Sequence, residues 1–556
     1  MSLHVHRTGD RLLEALKAAS GSYYATFARS TLDPDLLREI DAVARTHGHQ
    51  DLTTVARLRP AAEHLLREFF DRAARGDPDS RFSYSSRVLL AVPNYPDVAL
   101  VFLLRALNAA DPQTTVHALI EDTWQAQLAH YEFEGGARPG YRPGWRRSLA
   151  RGARSLARRF FVKPAAPGCD VLLFTLGDNP ARNATDAYFG DLAKTLAEQC
   201  RVITVYLAPG VRTRFRQRAA ALPLETFLTP ADALHAWTAA RTRDYYSASE
   251  SPDDALIAYL RAREHASGDV FMQGLMASMF ERMLATLKPA TLVYPFENRN
   301  WEKKLLGAAR RQGVRCVGYQ HSSITPRHLA LSDNAGLAEP GALPDEIVTC
   351  GEITAELIAA RMPQARARVR VGTALRAQRL ALASPEAWGV LAPISSSRAE
   401  AWEILRLLHE LGSDSTTPIV VRTHPTIPID DLYAQFRWPA HVRLSRNRSL
   451  TDDFAATSLV AYSSSTVALE GMLYGRLPVF LDIGDIPSGN PIHGEHDFLF
   501  RAATGPELRE ILEQIRDFTT AQLAGLREQA RAYAERYLVE STPANIQRMA
   551  DAICRC

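Results

Sequence analysis

From Val171 to Leu481 the chain repeats one texture: a strand-length apolar run, an abrupt polar or glycine-bearing turn, then a longer stretch before the next run. The runs are Val171 to Leu176, Val202 to Leu207, Thr291 to Pro295 and Val314 to Tyr319, then Glu346 to Cys350, Trp388 to Ala392, Pro418 to Arg422, Ser458 to Tyr462 and Leu477 to Leu481. Runs without polar alternation mark strands buried on both faces, and helix-length crossovers between them demand parallel pairing. The texture therefore predicts an α/β protein with helices on both sides of each sheet. A chain of 556 residues exceeds what one core sustains, so the runs divide into two sheets. The expected division is a first Rossmann-like domain at 86–340 and a second at 341–520, the second opening with the run at Glu346. In the first, Arg87 starts a change of texture, with a strand at Val88 to Val92, a helix at Val98 to Ala109 and a strand at Thr115 to Ile120. Ahead of it, Leu12, Leu13 and Leu16, then Leu58, Ala61, Leu65 and Phe69, recur at helical spacings, so residues 1–85 read as a helical appendage. Residues 521–556 read as a helical tail that packs back across the first domain.

Composition narrows the function classes. A net charge of +3 over this length gives no electrostatic footprint for nucleic acid. The six cysteines lack the paired spacing of a zinc ribbon and fit reduced thiols in a cytosolic protein. Met1 to Ala18 is polar, without the apolar core of a signal peptide, and no run reaches the roughly 20 apolar residues that span a bilayer. The expected location is the cytoplasm, with any membrane contact peripheral. One stretch, 141–163, has seven arginines, Lys163 and no acid, interleaved with Trp145, Leu149, Leu156, Phe160 and Phe161. It reads either as a basic amphipathic dock for the inner face of an anionic membrane or a lipid-linked acceptor, or as a helix packed on its own protein.

Two segments of the second domain carry chemistry. In Ser458 to Asp482 an apolar strand runs into Ser463, Ser464, Ser465 and Thr466, then into a helix bearing Glu470. Hydroxyls at a helix start offer side-chain donors and free backbone N–H groups to a phosphate; one of them would suffice as a cap, and four consecutive exceed that need. In Pro418 to Thr426 a strand delivers Arg422 and His424 to its carboxyl end, where doubly wound sheets bind ligands. Arg422 can make a charge-assisted phosphate contact and His424 can donate to a phosphate oxygen.

An RxHP strand end followed by a Ser/Thr cluster, a helix and Glu resembles the C-terminal half of GT-B glycosyltransferases with cytidine-nucleotide donors, such as Kdo, sialyl- and polysialyltransferases and CDP-glycerol polymerases. The resemblance covers roughly 346–482. It implies a GT-B-like fold, two Rossmann-like domains facing a central cleft, with His424 and Ser463 to Thr466 holding the donor phosphate. The segment Thr291 to Pro326 is similar to bacterial surface-carbohydrate (capsule and O-antigen) biosynthesis proteins.

That segment places Glu297 and Arg299 after one strand and Gln320, His321 and Ser322 after the next, at one crevice edge. Glu297 can serve as a general base, orient one, or pair with Arg299 to shape the site; Arg299, Gln320, His321 and Ser322 are the candidate substrate contacts. A further loop, Gly177 to Asp191, brings Asp178, Arg182, Asp186 and Asp191 to another strand end. Asp178 and Asp186 are thus alternative catalytic carboxylates, Asp186 also suiting a plain cap. The resemblance implies transfer of a sugar, with a CMP-linked ulosonic acid such as Kdo as the first donor, to a glycan or lipid-linked acceptor, without metal or other cofactor. Another sugar nucleotide, phosphoribosyl diphosphate, or a non-catalytic scaffold role are the alternatives; the absence of a GxxxxGK[ST] loop disfavours phosphoryl transfer.

Overall fold

The computed structural model describes residues 1–27, 34–75, 96–136, 150, 152–156, 168–176, 186, 188–207, 221–242, 255–257, 259–260, 263, 266, 269–332, 342–376, 388–395, 397–411, 415–424, 427–446 and 448–554. The expected strand at Val88 to Val92, the residues Asp178 and Arg182, and most of the basic stretch 141–163 lie outside the described residues.

The described strands form three wholly parallel sheets. The first sheet contains β1 (Ser2–His6), β2 (Tyr23–Thr26), β3 (Gln50–Asp51) and β4 (Thr115–Leu119), in the order β1-β4-β2-β3. The N-terminal unit is therefore not a helical appendage. Its helices Gly9–Ala18 and Arg59–Arg75 exist as the leucine spacing predicts, but they pack around strands. The strand near Thr115, expected in the first large domain, closes this small sheet instead, pairing His117 with His4 on one side and Tyr24 on the other.

The second sheet contains β5 (Val171–Thr175), β6 (Val202–Tyr206), β7 (Ala221–Pro223), β8 (Thr291–Pro295), β9 (Arg315–Gln320), β10 (Glu346–Thr349) and β11 (Val369–Val371). Its order, β11-β10-β9-β8-β5-β6-β7, starts in the middle and winds outward in both directions. All five residues of β5 and of β8 are buried, as strands covered on both faces must be. The run at Glu346 belongs here, since Ile347 pairs with Gly318 of β9, and not to the next sheet as the spacing suggested.

The third sheet contains β12 (Val390–Pro393), β13 (Ile419–Arg422), β14 (Val442–Leu444), β15 (Leu459–Tyr462), β16 (Leu477–Leu481) and β17 (Phe500–Ala502), in the order β14-β13-β12-β15-β16-β17. Both larger sheets thus have the doubly wound Rossmann-like order. Their strand order changes sense between β5 and β8 in one and between β12 and β15 in the other, the positions where such sheets open a crevice at their carboxyl ends.

Three features hold the units together. Arg59 of the N-terminal unit forms a bidentate pair with Asp482, just past β16, at 2.9 and 3.0 Å. Helix Thr520–Tyr537 lies on the third unit, and Gly351 permits its end to approach: a Cβ there would stand 2.1 Å from the Tyr537 carbonyl oxygen. Helix Pro543–Cys554 then crosses to the second unit and buries Ile546, Met549, Ala550 and Ile553 against Val171, Leu192 and Leu196. The tail does pack back on the first large domain, as its sequence suggested.

The Tyr537 hydroxyl accepts the Ile324 N–H at 2.8 Å and faces the Ile324 carbonyl at 3.2 Å, in the loop after β9. Tyr537→Phe keeps the ring and orphans that buried N–H, so it is expected to lower stability by about 1–3 kcal/mol in chemical denaturation. A variant as stable as the parent would show that the loop does not depend on this hydroxyl.

Candidate functional site

The turn from β8 into helix Asn300–Arg311 is built around one carboxylate. Glu302 accepts the backbone N–H groups of Glu297 at 3.0 Å, Arg299 at 2.9 Å and Asn298 at 3.1 Å. Asn298 adopts the left-handed φ of 60°, a conformation Asn tolerates, while its amide donates to the Ala330 carbonyl at 2.6 Å and its oxygen accepts from Lys303. Burial pushes the Glu302 carboxyl up to about 8, against the ionising pull of those N–H groups and of Lys303. With the backbone fixed, the side chains of Glu297 and Arg299 emerge together and form an ion pair. Burial alone would raise the Glu297 pKa, but Arg299 first, then His321, His328 and Arg376, hold it below the ordinary value.

The adjacent strand end supplies the imidazole. Nε2 of His321 lies 3.4 Å from Glu297 Oε1, and its ring meets Tyr188 edge-on at 4.7 Å. The ring is 7% exposed, and Nδ1 has no partner among the described residues. Burial pulls its pKa down to about 4; Arg376 and Arg299 act in the same direction, and Glu297 opposes them. His321 is therefore neutral at pH 7. With its proton on Nε2, facing the carboxylate, Nδ1 presents a lone pair. His328 nearby is also held at about 4, by burial above all, and its Nδ1 accepts from Thr325 at 3.0 Å.

The Gln320 amide donates to the Ser322 carbonyl, and its oxygen accepts from Cys350 at 3.5 Å, so Gln320 shapes the turn that carries His321. Asp186 accepts the N–H groups of Tyr188 at 2.7 Å and Phe189 at 2.9 Å. It caps the turn and orients Tyr188, the plainer of its two readings.

The carboxyl edge of the third sheet meets this edge directly. After β15, Thr466 and Ser323 hold their hydroxyls 3.1 Å apart across the two units. Ser464 donates its N–H at 3.0 Å and its hydroxyl at 2.6 Å to Glu400, in the first turn of helix Arg398–Glu410. Glu400 in turn pairs with Arg327, from the loop after β9, at 3.2 Å. The hydroxyl run thus already binds a carboxylate, the protein's own. Ser465 accepts the Val467 N–H at 3.3 Å as a local cap. Ser463 is the remaining hydroxyl, 1% exposed and with no partner among the described residues. Glu470 is half-buried on the following short helix, where its charge bears on Tyr474.

Arg422 already has partners within the protein. Its guanidinium donates to the fully buried Asp453 at 2.6 Å and to the Arg448 carbonyl at 3.1 Å, and Asp453 also accepts from Ser445 at 2.7 Å. The ion pair ties β13 to helix Leu450–Ala455. His424 is half-buried; burial, then Arg376, lowers its pKa, so it too is neutral.

Two residues escaped the sequence reading, Tyr188 and Arg376. Arg376 follows β11 on the segment between the sheets, its guanidinium 5.8 Å from the centre of the Tyr188 ring. It is exposed and has no carboxylate partner among the described residues, yet its charge reaches Glu297 and His321 on one side and His424 on the other. Its backbone neighbours are fixed: the Leu375 N–H donates to the Tyr319 hydroxyl at 2.9 Å, and Ala374 N–H to the Val539 carbonyl at 2.8 Å. The signal for it was an arginine just beyond a strand's carboxyl end, on a strand only three residues long.

No protein-family model and no curated protein matches the chain. Among solved structures it is similar to Anabaena HepE in complex with UDP and glucose, at 13% identity, covering 70% of this chain and 100% of that one, with a TM-score of 0.43. The calicheamicin glycosyltransferase CalG4 matches at 14% identity over 69% of this chain and 98% of its own, TM-score 0.44. Methanocaldococcus jannaschii UDP-GlcNAc 2-epimerase, in complex with UDP-GlcNAc and UDP, matches at 10% identity over 69% and 99%, TM-score 0.42. Among the described residues no helix is long and apolar enough to cross a membrane.

The histidine gives a pH signature. Its folded-state pKa of about 4 lies below the ordinary 6.5, so the stability from burying it neutral is complete above 6.5 and is lost as pH falls towards 4. The stability difference between the parent and His321→Asn is expected to shrink by roughly 3 kcal/mol over that window. A pH-independent difference in denaturation midpoints would contradict a neutral buried imidazole.

Proposed function

We propose that this chain is a glycosyltransferase acting on a nucleotide-activated sugar in the crevice between the two larger sheets. The observation that carries the reading is an exposed cation whose charge is felt in both large units. Arg376 acts on a buried neutral imidazole, His321, with Glu297 beside it, and on the half-buried His424 of the third sheet, where strand β15 leads into the spare hydroxyl of Ser463. His321 takes the proton from the acceptor hydroxyl, and Glu297 stabilises the imidazolium that results. The acceptor oxygen bonds to the anomeric carbon while the sugar–phosphate bond breaks, and Arg376, His424 and Ser463 receive the charge that develops on the departing phosphate. Arg376 supplies that positive charge without a metal, so transfer is expected to survive chelation.

The resemblance in the donor-side segment makes a CMP-linked ulosonic acid the first donor to test, and a surface glycan or its lipid-linked precursor the acceptor. UDP-sugars, bound by HepE and the epimerase above, come second, and phosphoribosyl diphosphate third. The non-catalytic scaffold has one observation in its favour: Glu400 occupies the Ser464 donors that a phosphate would otherwise take.

Thermal stability in CMP, CDP, UDP, GDP and phosphoribosyl diphosphate separates these readings. The right nucleotide at about a hundred times its Kd stabilises the fold by roughly 2.7 kcal/mol. Arg376→Ala is expected to weaken that nucleotide about tenfold or more, whereas His321→Ala should leave binding intact and cost transfer about 100- to 10,000-fold. Binding without transfer to any sugar acceptor would favour the scaffold; no stabilisation by any of the five would sink the crevice as a nucleotide site.

A further inference from the structure

The C-terminal helix Pro543–Cys554 ends on a thiol that faces another. Sγ of Cys554 lies 3.1 Å from Sγ of Cys200, which follows helix Leu192–Ala197 and is 354 positions earlier in the chain. Both are partly exposed and neither is in a disulfide. The register that brings them together is set by neighbours: the Gln199 amide donates to Asp551 at 3.0 Å, Arg315 donates to the Ile553 carbonyl at 3.2 Å, and Ile546, Met549 and Ile553 sit in the core with Leu192 and Leu196. Cys169 is close enough for its charge to be felt by Cys200's, but it is buried, and burial pushes its thiol up to about 12. It stays protonated and a poor competitor.

We propose that Cys200 and Cys554 are a reversible thiol–disulfide pair that fastens the C-terminal helix to the second unit. Closing the bond needs the sulfurs to approach by about 1 Å, a small rotation of two side chains. With oxidised glutathione as oxidant, one protein thiolate attacks a glutathione sulfur and releases one glutathione thiol. The second protein thiolate then displaces the other, so the protein loses two hydrogens and glutathione takes up two electrons as two thiols. The bond would close a loop containing most of the chain, which favours the folded state by constraining the unfolded one. It also secures the strap that precedes this helix: the carbonyls of Val539 and Glu540 accept from Thr373 and Val539 from Ala374, next to Arg376.

The full-length protein is incubated with oxidised glutathione, digested without reduction and mapped by mass spectrometry, with thermal unfolding measured alongside. Expected are a peptide linking Cys200 to Cys554, a rise in Tm, and reversal of both by dithiothreitol. Cys200→Ser and, independently, Cys554→Ser should abolish the link and the rise while keeping the reduced parent's Tm; the second lies in the last helical turn and tests the pair even where the first perturbs folding. Stable glutathione adducts on either residue, a link through Cys169 or Cys556, a disulfide between molecules, or a Cys200–Cys554 link that leaves Tm unchanged would each overturn the proposal.

Discussion

The grip on the loop after β9 sets the geometry of the whole crevice. That loop belongs to the second sheet, but its partners come from elsewhere. The Ile324 N–H is taken by Tyr537, its carbonyl by His493 Nε2 at 2.7 Å, the Thr325 carbonyl by Arg361 at 2.8 Å, and the Ser323 hydroxyl by Thr466. Arg327 reaches Glu400, Asp485 and the Pro487 carbonyl. A buried backbone that lacks ladder partners must find them in side chains, and here nearly all of them come from the third unit or the C-terminal helices. The turn that carries His321 is thereby fixed relative to the opposite sheet as well as its own.

The same network says where an anion can and cannot go. Arg327 is one cation between two carboxylates, and Glu400 spends its remaining capacity on Ser464. A phosphate at Ser464 would meet that carboxylate at hydrogen-bond range, a repulsion that a single hydroxyl and N–H cannot offset in a low-dielectric crevice. The exposed cation whose charge is felt on both sheets, Arg376, has no carboxylate partner among the described residues. Four hydroxyls in a row are then two structural contacts, one cap and one free donor.

Much of this was legible from residue order. Strands β5, β8, β9, β12, β15 and β16 were readable because burial on both faces leaves no polar interruption. Sheet membership was harder: β10 reads as the start of a new series because a long connection precedes it, and only the pairing of Ile347 with Gly318 shows otherwise. The N-terminal sheet was hidden because β1 carries His4 and His6, and β3 has two residues, too few for any period. Even the helix Arg59–Arg75 was read one residue out, its buried side chains being Ala62, Leu66, Phe69 and Phe70 rather than Ala61 and Leu65. In the site, Glu297 and His321 followed from the strand-end rule. Arg422 obeyed the same rule but is claimed by Asp453, thirty-one positions away, a partner no local pattern reveals.

Arg376 links the two large units through its charge, which is felt at Glu297 and His321 in one and at His424 in the other. Burial above all, and then the Arg376 charge, lowers the proton affinity of both His321 and His424. At His321 Glu297 opposes that shift, so the neutral imidazole keeps beside it a carboxylate that stabilises an added proton. The place of Arg376 after β11, on the segment that joins the two sheets, lets this cation act on groups from both.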